Sequence, residues 1–350
     1  MEEFNLVHIY VIFIGILLSY IAIICTRKIA LRCGLSDKPG GRKKHAGEIP
    51  LIGGISIFTA LIFTTLLGIG SHHKLSLITS WAGIVFLIGI VDDFKPLSWK
   101  LRLLAQTITI LGIIFTTGIS IKTLGVFPLI GELHLGSFNV PFTIFAVVGM
   151  TNAFNLIDGI DGLCGVVAII TLFALLLLGF HGDQSYMLFT VNFILAVTVY
   201  LSFNLQKKSK HKIFLGDSGS CTIGFIISWL LIDFSSNDLT SSEPSLALWL
   251  VAVPIIDTFN SMYQRAIKRQ HIFLADQNHL HHQLRKSGLS DYSVLTFMII
   301  ISMIGVSIGI LVRAAETFIS ASLFVCFAIS LVLIIKNIVP QLIKNGRLLR

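Results

Sequence analysis

Apolar runs near the roughly twenty residues that a membrane-crossing helix needs recur along the whole 350-residue chain. They fall near 6–24, 49–69, 75–91, 103–121, 140–156, 163–180, 186–203, 219–232, 246–263, 294–312 and 317–335. Within hydrocarbon only a helix or a closed barrel satisfies its own backbone. The pattern therefore predicts an all-α polytopic membrane protein of about eleven transmembrane helices, forming a single integral-membrane domain over 1–350. Composition agrees: 54% of residues are hydrophobic and 13% charged, with mean hydropathy +0.86, too little polar surface for a soluble fold. Glu2 and Glu3 precede the first run where a signal peptide would carry basic residues, so that run reads as a retained span. Between 122 and 138, Gly125, Pro128, Gly131 and Gly136 punctuate an alternating pattern and predict a small outer β-hairpin.

The net charge of +8 would suit a nucleic-acid partner, but the cations follow the alternation of the connections. One set holds Arg27, Lys28, Arg32, Lys38 and Arg42 to Lys44, then Lys95, Lys100 and Arg102, Lys207 to Lys212, Arg265 to Arg269, Arg285 and Lys286, and the C-terminal cluster. The opposite set holds only Lys74, Lys122 and Arg313. This asymmetry puts the N-terminus outside and the C-terminus in the cytoplasm, and it leaves no nucleic-acid partner to expect. Asp92, Asp93, Asp158, Asp161, Asp217 and Asp257 then fall on the cytoplasmic side, whereas Asp233 falls in an unpatterned outer loop. The five cysteines form no CxxC pair and suggest neither disulfides nor zinc.

The cytoplasmic motifs carry the chemistry. Residues 152–163, NAFNLIDGIDGL, space Asn155, Asp158 and Asp161 three apart. If the run stays helical, they share an arc of roughly 120°. Carboxylates at a helix C-terminus oppose its dipole, so a cation such as Mg²⁺ suits them; a plain Asp-Gly turn is the simpler alternative. The loop from Ser36 to Gly54, with four closely spaced cations that include Lys43 and Lys44 and the pairs Gly40-Gly41 and Gly53-Gly54, would attract a phosphate, or merely lipid headgroups. Asp92 and Asp93 stand together where Pro96 ends a helix, an arrangement suited to a metal or a proton unless Lys95 and Lys100 neutralise it. In FLGDSGS, glycines beside Asp217 would let backbone amides approach a phosphate while Phe214 stacks on a base. Asp257 is an intramembrane carboxylate, which points to function unless it simply pairs with a structural partner such as Arg265. His279, His281 and His282 suit a diphosphate better than zinc, which would bring Cys or HExxH geometry.

Taken together and in order, DKPGGRKKHAGEIPLIGG, VDDF, NAFNLIDGIDGL, FLGDSGS, PIIDT and NHLHH resemble the motifs of the polyprenyl-phosphate N-acetylhexosamine-1-phosphate transferase family, across about residues 36–284. The DQNHLHH ending is similar to that of the bacterial UDP-GlcNAc branch, with Leu280 in place of the usual isoleucine. The resemblance implies transfer of GlcNAc-1-phosphate from UDP-GlcNAc to undecaprenyl phosphate, with UMP released, at the cytoplasmic face of the bacterial inner membrane. The product would feed an O-antigen, common-antigen or teichoic-acid type of pathway. It implies Mg²⁺, with Mn²⁺ as an alternative, held by Asp217 and Asp92, and it is compatible with a homodimer. Asp92 and Asp93 would orient or deprotonate the lipid phosphate, and Asn155, Asp158 and Asp161 would hold nucleotide and metal water. Phe214 would meet uracil, His281 and His282 the diphosphate, and Lys43 or Lys44 the lipid phosphate. His45, Asn204, Arg265 and His279 complete the implied substrate-binding set. UDP-GalNAc or UDP-MurNAc-pentapeptide as donor, and a cation-coupled transporter, are the competing readings. A transporter would bring inverted repeats and mid-membrane polar residues, and neither is evident in the sequence.

Overall fold

The computed structural model of the chain describes residues 6–38, 47–68, 73–179, 183–206, 210–236, 244–269 and 279–344. These are overwhelmingly helical. In order they form α1 (Leu6–Cys33), α2 (Gly53–Gly68), α3 (His73–Phe94), α4 (Trp99–Thr117), α5 (Asn139–Ile157), α6 (Leu163–Leu177) and α7 (Gln184–Asn204). Then follow α8 (Gly216–Ser235), α9 (Ser245–Leu250), α10 (Ala252–Ile267), α11 (Leu280–Lys286), α12 (Asp291–Leu311), α13 (Thr317–Leu333) and α14 (Val339–Lys344). Ten of the eleven apolar runs each fall mainly on one helix, and the run at 246–263 is divided between α9 and α10. Eight helices are long and apolar enough to cross a membrane, while α2 and α6 are shorter apolar helices.

The run at 246–263 is broken into α9 and α10 for a chemical reason. Pro254 has no N–H to give to the Leu250 carbonyl four residues back, and the chain turns out of helical geometry at Val251 (φ −122°, ψ 34°). Thr171 Oγ1 from α6 takes the freed Leu250 carbonyl at 2.8 Å.

α8 is the axis of the bundle. Its apolar stretch is 94% buried, against 22–56% for the other seven long spans, and α2, α3, α5, α6 and α9 all pack on it. Helices in lipid associate through close packing rather than by expelling water, and α8 is approached where side chains are missing. A Cβ on Gly54 would stand 2.5 Å from the Gly219 nitrogen, and one on Gly89 2.4 Å from Ser218 Cα.

Two small sheets finish the fold. β1 (Ser36–Asp37) and β2 (Ile49–Pro50) pair antiparallel, and the chain just beyond β2 is stitched to the segment ahead of α8. Phe214 N donates to Pro50 O at 3.0 Å, and Gly53 N and Gly54 N donate to the Phe214 and Leu215 carbonyls at 2.9 and 3.1 Å. β3 (Thr123–Phe127) and β4 (Gly131–His134) form the expected hairpin, irregular between Thr123 and Val126. The hairpin joins α4 to α5 at the end of the bundle opposite the motif-bearing helix ends.

Candidate functional site

The motifs meet where α3 and α5 end and α4 and α8 begin. α8 starts without a side-chain cap of its own, so its first amides need an outside acceptor. Asp93, 124 residues earlier in the chain, supplies it: Oδ1 accepts from Asp217 N at 2.7 Å and Oδ2 from Ser218 N at 3.1 Å. Hydrogen bonds to a charged acceptor contribute roughly 1.5–3 kcal/mol each. These amides are therefore engaged by Asp93, which corrects the expectation that they lie open to a phosphate.

Asp92 is buried and turns the other way. Its Oδ1 accepts from Leu97 N at 2.6 Å, closing the turn before Ser98 caps α4, and its Oδ2 accepts from Arg102 Nη1 at 2.9 Å. The cation on Asp92 is thus Arg102, rather than Lys95 or Lys100. The same Nη1 lies 3.4 Å from Asp217 Oδ2, while Asn155 Nδ2 donates to Asp217 Oδ1 at 2.8 Å and to Ser220 Oγ at 3.0 Å. One guanidinium and one amide hold Asp217 over a cleft whose wall includes Gly89, Asp92, Arg102, Gln106, Asp217 and Cys221.

α5 ends at Ile157 and α6 begins at Leu163, so Asn155, Asp158 and Asp161 do not share a helix face. Gly159 and Gly162 make the turn between; Gly162 takes the left-handed conformation (φ 80°) that favours glycine. Asp161 pairs with Lys212 Nζ from the loop before α8. Arg27 of α1 steadies that loop by donating to the Lys212 carbonyl at 3.0 Å. Asp158 has no such cation among the described residues. Burial, then the Asp217, Asp161 and Asp93 carboxylates, holds its pKa well above the ordinary carboxylate range. Among the described residues, Arg102 pairs with Asp92 and Asp217 and Lys212 with Asp161, in a cluster that also holds the Asp93 and Asp158 carboxylates. Among the described residues no three His, Cys, Asp or Glu side chains already form a metal cage. A cluster rich in oxygen donors but short of a full protein shell fits a cation that keeps few carboxylates and completes its coordination with water and phosphate.

Phe214 is half-buried, with Lys212 Nζ 5.5 Å from its ring centroid. Asn204 is buried, its amide on the Ile213 carbonyl at 2.9 Å, where it anchors the same loop. Asp257 is fully buried, and its structural partner is histidine instead of the expected Arg265: Oδ2 lies 2.8 Å from His279 Nδ1, and Oδ1 accepts from Leu280 N. Arg265 is buried on α10. The rings of His279, His281 and His282 lie together, 4.2 Å separating the centroids of the last two. Lys43, Lys44 and His45 lie outside the described residues.

His281 reaches the Asp158–Asp161 turn because Gly159 has no side chain; a Cβ there would stand 2.3 Å from His281 Nε2. Burial, then His282, His279 and Arg285, pushes the His281 pKa down to about 2. Burial also lowers that of His282. As placed, burial favours the neutral form of the His281 imidazole. Its folded pKa lies below the unfolded one, so between the two the unfolded chain binds more protons. The stability it confers is complete above pH 6.5 and is lost as pH falls, at roughly 1.4 kcal/mol per unit. The melting temperature in detergent should fall progressively from pH 7 to pH 5, with a shallower slope in His281→Phe.

Fold and site together define a polytopic membrane protein with a cation-bridged carboxylate cluster at one end of its helices. The model of glycosyl transferase family 4 matches residues 75–235. The undecaprenyl-phosphate alpha-N-acetylglucosaminyl 1-phosphate transferase of Salmonella typhi is 33% identical over 298 residues, covering 84% of this chain and 81% of its own. Its namesake in Haemophilus influenzae is 33% identical over 308 residues, 87% and 85% of the two chains. That of Escherichia coli strain K12 is 32% identical over 289 residues, 81% and 78%. The chain belongs to the polyprenyl-phosphate N-acetylhexosamine-1-phosphate transferase family.

Sequence reading alone passes over Arg102 and Lys212, which count there only as topology-setting charges. The one signal that could have found them was their position beside Asp-bearing motifs.

Proposed function

We propose that the protein transfers GlcNAc-1-phosphate from UDP-GlcNAc to undecaprenyl phosphate at the cytoplasmic face of the bacterial inner membrane. A lipid phosphate oxygen forms a bond to the β-phosphorus of the nucleotide, the bond from that phosphorus to the bridging oxygen breaks, and UMP leaves with the electron pair. The observation that carries this reading is Asp217, held by Asn155 at 2.8 Å and bridged to Asp92 through Arg102. The names of the relatives support undecaprenyl phosphate as acceptor and GlcNAc-1-phosphate as the group transferred.

Asp217 and Asp92 would hold Mg²⁺, or Mn²⁺ in its place; when bound, the ion neutralises diphosphate charge and fixes its oxygens. Arg102 and Lys212 add positive charge at the same boundary, and Phe214 offers a face to uracil. Asp92 and Asp93 act as orienting groups. Both oxygens of each already accept hydrogen bonds, and a phosphate monoester with a second pKa near 6 is largely dianionic at neutral pH. No general base is required.

Purified protein with undecaprenyl phosphate, a divalent cation and a panel of UDP-sugars tests the reading. UMP release with UDP-GlcNAc, abolished by chelator, is the expected result. Release only with UDP-GalNAc or UDP-MurNAc-pentapeptide would move the donor, and no release with any donor would overturn the reaction.

A further inference from the structure

A carboxylate outside this site lies at the far end of the helix that carries Asp217. Asp233, expected in an outer loop, is instead in the last turn of α8 and buried, about 24 Å from Asp217 at 1.5 Å rise per residue. A helix C-terminus disfavours a carboxylate and burial penalises it further, so its partners matter. Tyr186 of α7 donates its hydroxyl to Oδ2, and Lys74 Nζ of α3 lies 3.4 Å from Oδ1.

Lys74 and Asp93 stand at opposite ends of α3, which runs antiparallel to α8. One helix therefore grips the other twice, with Asp93 on the amides that open α8 and Lys74 on the carboxylate that closes it. Near the first grip Gly89 brings the two backbones together. Contacts between charged groups at both ends add to the close packing a constraint against sliding and rotation.

We infer that Lys74, Asp233 and Tyr186 form a positioning device that keeps α8 in register with α3 and so sets Asp217 against Asp92 and Arg102. The functional consequence rests on Asp217 being the reaction's metal-binding carboxylate.

The full-length protein in detergent provides the test, through Asp233→Asn, Asp233→Glu and Lys74→Met. Kinetics are paired with N-ethylmaleimide labelling followed by mass spectrometry. Cys221, one turn from Asp217 in the cleft wall, reports the register, and Cys164, buried in α6, reports general loosening. In Asp233→Asn and Lys74→Met, kcat should fall at least about fivefold, with KM for UDP-GlcNAc within about twofold. Cys221 should label at least about threefold faster while Cys164 stays protected. Asp233→Glu should recover most of both. Wild-type kcat and Cys221 labelling in Asp233→Asn would overturn the inference, as would Cys164 and Cys221 becoming reactive together. If the unaltered protein transfers from no UDP-sugar, the proposed reaction fails, and the labelling arm still decides whether the register device exists.

Discussion

Asp217→Asn is expected to lower UMP release by at least about a thousandfold, the scale of removing a metal ligand that stabilises several kcal/mol of developing charge. The fold should survive. Asparagine keeps an oxygen for the Asn155 amide at the same place, and the substitution weakens only the long 3.4 Å ion pair with Arg102. Asp93 grips the backbone amide of residue 217 rather than its side chain, so the start of α8 stays capped. Size-exclusion and melting profiles like those of the unaltered protein, together with absent turnover, would bear this out. Full turnover would remove Asp217 from the proposed metal site.

Gly216→Ala should do comparable damage by a different route. Gly216 has φ 75°, and a Cβ there would stand 2.5 Å from Asp93 Oδ2. The left-handed conformation alone costs an alanine about 1–2 kcal/mol. Displacing the Asp93 carboxylate forfeits one or both charge-assisted bonds to the α8 amides, at roughly 1.5–3 kcal/mol each. The variant should melt several degrees lower and lose activity at least about a hundredfold, because misplacement by 1 Å is that costly. Lower stability with unchanged kcat would separate capping from catalysis.

Much of the helical architecture was legible because hydrocarbon imposes one rule on every span. The apolar runs fall on helices, one of them broken at Val251, eight helices among the described residues are long and apolar enough to span, and the hairpin at 123–134 came with its turn residues. Pairings across long sequence separations were illegible in a pattern that reads neighbours. Nothing local says that Asp93 caps a helix starting at Gly216, or that Asp257 meets His279 instead of Arg265. Asp233 was misplaced because the 219–232 run seemed to stop one residue short of it. The carboxylates themselves were easy to find, since charge at a membrane boundary is costly. Arg102 and Lys212 were hidden by abundance, being two cations among 26.

The envelopment of α8 has a consequence for the protein's relation to its membrane. With 94% of its apolar stretch covered by other helices, α8 meets hardly any acyl chain, so hydrophobic mismatch acts on the outer helices, which tilt to absorb it. Reconstitution into thinner or thicker bilayers should therefore change how the outer helices lean far more than it changes turnover. The Asp217 carboxylate hangs from an inner frame that lipid thickness does not reach.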